Sequence, residues 1–198
     1  MNTPTHILLG AALFGKKGRP DLTTAAILGG FLPDLSLYAL AGWALFVQQV
    51  PPDIVFGRLY FSDQWMRVFA VDNSFILWGM VLGAGLWLRQ AWLKAFAGAG
   101  LAHLGADFLL HHDDARPQFW PLSDWIFRSP VSYWDARHYG NIVAPLEMLL
   151  ALVLCLLLWR RHQGLAARGV IGTTTAAIAA GMFFWAWAMS AGTLHSHG

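Results

Sequence analysis

A chain of 198 residues is enough for one domain. It is 57% hydrophobic and 12% charged, where a soluble domain is about half apolar and about a quarter charged, so the chain belongs in a membrane. The net charge of +2 comes without a basic cluster, which excludes a nucleic-acid partner. The single cysteine, Cys155 in ALVLCLLLW, excludes an internal disulfide, a CxxC pair and a cysteine-rich zinc site.

The N-terminal stretch MNTPTHILLGAALFGKKGR has an apolar core, but its lysines follow that core and no small-residue cleavage site comes after. That order is wrong for a secretory signal, so the segment is expected in the mature protein. Residues 4–15 predict a helix too short to span, because a bilayer core of about 30 Å needs roughly 20 residues at about 1.5 Å each. Residues 22–49, 73–89, 92–111, 141–159 and 169–194 predict five transmembrane helices. The expected fold is an all-α, polytopic membrane helix bundle: one domain over 1–198, with five spans and a short N-terminal helix.

Positive charge orients the bundle. Lys16, Lys17 and Arg19 fall in one short loop, Arg89 and Lys94 in another, and Arg160, Arg161 and Arg168 in a third. Five spans put all three loops on one side, which the positive-inside rule makes cytoplasmic. The aromatic-rich loops 50–72 and 112–140 then lie outside, with LYFSDQWMRVF and FWPLSDWIF expected at headgroup level.

Ionisable side chains inside spans cost at least about 2.5 kcal/mol and therefore tend to face a partner or a cavity. Asp34 lies 13 residues after Asp21, Asp107 13 residues after Lys94, and Glu147 13 residues before Arg160. These spacings place three carboxylates about 20 Å from the cytoplasmic side, on three helices. His103, Asp107 and His111 follow at i, i+4 and i+8, on one helix face. His6 on the short helix falls at a similar depth. Three carboxylates that close cannot all stay ionised unless a cation lies between them. Mixed histidine and carboxylate donors suit zinc first, with manganese or iron as alternatives, better than calcium or magnesium. Hydrogen bonds that merely pack helices are the other reading of the same residues. Glu147, two residues after Pro145, has the alternative of bonding backbone freed by that proline. The helix end His112-Asp113-Asp114 reads either as the mouth of the site or as a solvated terminus. His195 and His197 in the tail are assigned no role. The chain holds no GxxxxGK, GxGxxG or GxSxG motif and no HExxH.

Four stretches carry a family resemblance: PTHILLG (4–10), GGFLPDLS (29–36), DNSF (72–75) and HLGADFLLHH (103–112). In order and spacing they resemble the YdjM-like inner-membrane metal-dependent hydrolases of bacteria, over about the first 115 residues. SPVSYWD (129–135) resembles one bacterial subgroup. That family is distantly similar in fold to zinc-dependent phospholipase C. The resemblance implies His6, Asp34, His103 and Asp107 as metal ligands. The chain departs from the family pattern at Ser36, where a second aspartate is usual, and at Asn73-Ser74, where a His-Ser pair is usual; Asp72 stands beside as a partial substitute. Close relatives sometimes carry a cobalamin-biosynthesis label, but this chain lacks a nucleotide loop and a cysteine suited to amide transfer.

The expected function is a divalent-metal-dependent hydrolase of the bacterial inner membrane, multi-pass, acting from the periplasmic side on an ester or phosphoester of a lipid-like substrate. Glu147 or His111 would be the general base. The competitors are a proton or metal-ion transporter and a non-enzymatic structural membrane protein. A transporter would need polar residues continuing to the cytoplasmic side, and TTAAILGG, WGMVLGAGLWL and LKAFAGAG are almost purely apolar. The oligomeric state is left open by the sequence.

Overall fold

Glycine and alanine lie where the helices carrying His6 and His103 meet their neighbours, and this decides how closely those helices approach. In the computed structural model, which describes residues 1–190, the short α1 (Thr3–Phe14) is followed by α2, a 28-residue run over Pro20–Val47. Then come α3 (Asp63–Asp72), α4 (Phe75–Trp87), α5 (Ala91–Leu110), α6 (Gly140–Arg161) and α7 (Leu165–Ser190). The described residues form no β-strand. Five runs are long and apolar enough to cross a membrane: Pro20–Val47, Asp63–Trp87, Ala91–Leu110, Gly140–Arg161 and Leu165–Phe183. With α1 this is the expected count. His195 and His197 lie outside the described residues.

One span is assembled differently from its sequence pattern. α4 alone has 13 residues, about 20 Å, too short to cross. It reaches span length only together with α3, which lies inside the segment 50–72 expected as an outer loop. The helix breaks between them at Asn73, and Ser74 restarts it by accepting the Leu77 N–H at 3.1 Å as an N-cap. Asn73 and Ser74 are both fully buried, so the break sits in the protein interior.

α2 packs most extensively against α5 and next against α1, and α1 also meets α5. A Cβ on Gly10 would lie 2.7 Å from the Ala26 carbonyl oxygen, and one on Gly29 would lie 2.0 Å from that of Phe96. Only a residue without a side chain permits that approach, which is how small residues hold helices together where lipid gives no hydrophobic drive. Gly30 does the same for α1, since a Cβ there would lie 2.7 Å from the carbonyl oxygen of His6. Immediately beyond, α2 tightens to a 3-10 turn at Leu32–Asp34 around Pro33, which has no N–H to donate.

The segment 112–140 is mostly irregular and folds over the outer end of the bundle. Asp114, Arg116, Gln118, Ser129, Ser132 and Asp135 are buried in it, whereas Leu122 and Trp125 are exposed. Asp135 ties its end down, accepting from the Arg137 backbone N–H at 2.9 Å and its Nη2 at 3.0 Å, with His138 Nδ1 also at 3.0 Å.

Gly30→Ala is expected to push α1 off α2 and cost about 1–3 kcal/mol, read as a fall in the thermal midpoint of the detergent-solubilised protein. Gly83→Ala, with open space around its added Cβ, is expected to be neutral or stabilising. The Arg137 guanidinium holds the Asp135 carboxyl well below the usual carboxylate range, against a smaller push upward from burial. A depressed carboxyl stabilises the fold above about pH 4 and loses that contribution as pH falls further. The thermal midpoint of Asp135→Asn should therefore approach the parent's below pH 4 and lie under it at neutral pH. Equal midpoints at pH 7 would exclude a structural role for this tie.

Candidate metal centre

The centre of the bundle holds one carboxylate surrounded by imidazoles. Asp107, on the last full turn of α5, is buried. Its Oδ1 lies 2.8 Å from His6 Nε2 and 3.1 Å from His111 Nε2, and its Oδ2 lies 3.2 Å from His103 Nε2. The Met1 α-amino nitrogen is 2.9 Å from Oδ1. The expected i, i+4, i+8 face is therefore real, although His111 already caps the helix in extended conformation. It is held in line by its N–H bond to the Asp107 carbonyl at 3.1 Å. His6 comes in from α1, its ring stacked on His103 at 3.5 Å between centroids and 9° between planes.

The tautomer of His103 follows from its neighbours. Nδ1 lies 2.8 Å from the Gly30 carbonyl oxygen, which can only accept. Nδ1 therefore carries a proton, and in the neutral ring Nε2 presents a lone pair. That lone pair is buried, makes no hydrogen bond and faces a carboxylate oxygen 3.2 Å away. Two electron-rich atoms at that distance repel unless a cation, or a second proton on the ring, lies between them. A backbone carbonyl fixing the far nitrogen of a histidine is also the usual support of a metal-ligating imidazole. Gly30 thus does two things: its missing side chain admits His6, and its carbonyl aims His103.

Among the described residues, His6, His103 and Asp107 form the group whose donor atoms all lie within 4.8 Å of one another. Two nitrogens and a carboxylate oxygen fit zinc, with manganese or iron as neighbours in preference. Asp34 lies beside this group without joining it. Its Oδ1 is 3.7 Å from His103 Nε2, and its Oδ2 accepts from the Thr3 hydroxyl at 2.6 Å.

The two candidate bases have different positions. His111 lines a cavity of about 500 Å³ together with Asp107 and Asp34. Its Nδ1 is 2.8 Å from Asp114 Oδ2, which also accepts from the Trp134 indole at 3.1 Å. Burial pushes the His111 imidazole down, but Asp107 and Asp114 outweigh it and raise the group above its ordinary value. Asp114 is thus part of the site and not a solvated helix end. Glu147 is buried on α6 and accepts from the Asn2 N–H at 2.7 Å. It lines a separate cavity of about 460 Å³ with Met148 and Ile178, so the first residues of the chain lie between it and Asp107.

Ser36, Asp72 and Asn73 are joined to each other. Asp72 Oδ2 accepts from the Ser36 N–H at 3.2 Å and its Oδ1 from Asn73 Nδ2 at 3.0 Å. Asp72 supports the break between α3 and α4 and does not enter the His6–His103–Asp107 group.

Sequence reasoning passed over Arg116, Tyr60 and Tyr133. All three line the cavity with Asp34, Asp107 and His111. Arg116 reads from the sequence as an ordinary loop arginine. Burial and the Asp114 and Asp107 carboxylates push the Tyr133 hydroxyl far above its ordinary value, so it stays protonated and able to donate. No family model, curated protein or solved structure matches the chain.

Asp107→Asn is expected to leave the shape of the site and remove the charge that His6, His103 and His111 share. Its thermal stability should fall at neutral pH by more than that of Glu147→Gln, because the Met1 amino group, His6 and His111 lose a charged partner in the first case and one backbone N–H does in the second. Equal losses would mean that Asp107 does not organise the centre.

Proposed function

We propose that this chain is a divalent-metal-dependent hydrolase of the bacterial inner membrane, acting from the periplasmic side on an ester or phosphoester of a lipid-like substrate. The observation that carries the reading is the buried His103 Nε2, without a hydrogen bond and 3.2 Å from Asp107 Oδ2. His6, His103 and Asp107 would hold the ion, with Asp34 as the adjacent carboxylate. A bound zinc, manganese or iron ion would polarise the ester and lower the pKa of a water beside it.

The chain's own residues supply the rest. His111 is the base of choice over Glu147, because it lines the cavity beside Asp107 and Asp114 fixes its other nitrogen. Tyr133 and Tyr60 bring hydroxyl groups to the same cavity, while Leu37, Phe56 and Phe61 give it an apolar wall for an acyl or isoprenoid portion. The resemblance of PTHILLG, GGFLPDLS and HLGADFLLHH to the YdjM-like family supports the same assignment.

The transporter reading is disfavoured by what the spans bury. Among the described residues, the buried groups of α2 before the 3-10 turn are Ala25, Ala26, Gly29 and Gly30, and those of α5 before His103 are Ala95, Ala97, Ala99 and Gly100. Such a wall offers no relay toward the basic loops.

Elemental analysis of the detergent-purified protein is expected to give near-stoichiometric zinc, manganese or iron, lost in His103→Ala and Asp107→Ala and retained in His111→Ala and Glu147→Gln. With metal loaded, His111→Ala should then lose at least about 100-fold in turnover, the usual contribution of a general base. Failure of the parent to take up any of the three ions would sink the hydrolase reading and leave a packing role for the centre.

A further inference from the structure

Arg116 is a buried charge with unused donors. It is 7% exposed. Its Nη1 donates to Asn73 Oδ1 at 3.0 Å and its Nη2 to the Tyr60 hydroxyl at 3.3 Å, and both partners are neutral. The Asp34 carboxylate is the ion partner in reach, at 3.6 Å from Nη1, too far for a hydrogen bond. Nε is buried and has no partner at all. Arg19 shows what a committed pair looks like in the same chain: its Nε and Nη2 meet the two oxygens of Asp21 at 2.9 and 2.6 Å.

A guanidinium carries five N–H donors in a rigid planar fork and stays charged at any relevant pH. Two of the five are used in Arg116. Burying such a group without a bidentate acceptor is costly, so the unused edge implies an acceptor that arrives with a ligand. The fork is also held still, with its carbon 4.9 Å from the centre of the Phe69 ring. It borders the same 500 Å³ cavity as Asp34, Asp107 and His111, and the smaller void beside it, about 10 Å³, has room only for a water-sized group.

We propose that Arg116 is the anion-holding residue of this cavity, taking the phosphoryl oxygens of a phosphate ester with the Tyr60 hydroxyl alongside. A neutral carboxylic ester brings no charge for this guanidinium, so the inference narrows the substrate of the hydrolase reading to the phosphoester class. It rests on that reading for the reaction but not for binding. The phosphoryl group could belong to a lipid headgroup or to a soluble ester, and the chemistry of recognition is the same for both.

The test compares the parent with Arg116→Gln and Arg116→Lys, in detergent, both metal-loaded and after chelation. Metal content, thermal midpoint and binding are read for three probes: inorganic phosphate, glycerol phosphate, and phosphatidic acid mixed into the micelles. Expected is binding by the parent, weakened at least about 10-fold in Arg116→Gln, since a hydrogen bond to a charged group is worth about 1.5–3 kcal/mol. Arg116→Lys should fall between, and metal content should be equal in all three. Tighter binding of phosphatidic acid than of the soluble probes assigns a lipid source, and the reverse a soluble one; both support the proposal. Undiminished binding by Arg116→Gln, no binding by the parent, or loss of metal in Arg116→Gln would each overturn it. The last outcome would make Arg116 a support for Asp34. A parent that takes up no metal yet binds phosphate through Arg116 would remove the hydrolase reading and leave this one standing.

Discussion

The Asp107 carboxylate is the constraint on which the rest of the molecule turns. A carboxylate buried in an apolar bundle is several kcal/mol unfavourable unless charge and hydrogen bonds surround it. Here the surroundings are three imidazoles and an amino group, brought from α1, from α5 and from the turn after α5. To reach Asp107, His6 needs α1 against α2 and α5, and the glycines and alanines at those contacts supply the closeness. The polar centre and the small-residue packing are therefore one arrangement: the first selects which faces meet, and the second lets them.

Local chemistry then differentiates the histidines. His103 is fixed by a backbone carbonyl and keeps a bare nitrogen toward the carboxylate. His111 is held between two carboxylates, Asp107 and Asp114, and its charged form is favoured. The two residues share one helix face and one spacing, yet one meets an oxygen that can only accept and the other meets formal negative charge on both sides.

The outer segment 112–140 completes the cavity. It buries Arg116 against Asn73 and Phe69, and so couples the break between α3 and α4 to the wall of the site. The Ser74 hydroxyl donates to the Trp120 carbonyl, a second tie between that break and the segment. The positive charge at Arg116 and the negative charge at Asp34 and Asp107 border one open cavity, so its wall carries both signs.

Much of this was legible in the chain. Span count and the short first helix follow from hydropathy, length and a fixed rise per residue, which are local quantities. The alignment of His103, Asp107 and His111 follows from helical periodicity, and PTHILLG and GGFLPDLS marked His6 and Asp34. Helix rotation and neighbour order are not local, and they decided the rest. Equal depth did not put Glu147 in the same cavity as Asp107, because the first residues of the chain lie between them. The Asp63–Trp87 run begins earlier than the expected span 73–89 because α3, read alone, is polar enough to pass for loop; its buried Phe69 and Ala70, and Asp72 accepting from the Ser36 N–H, tie it to the bundle. Arg116 carried no signal at all, since the sequence cannot say which loop residue folds inward. The sequence determined which groups must avoid lipid; the tertiary structure decided which of them meet, because contact depends on how separate helices turn toward one another and no spacing along a single helix encodes that.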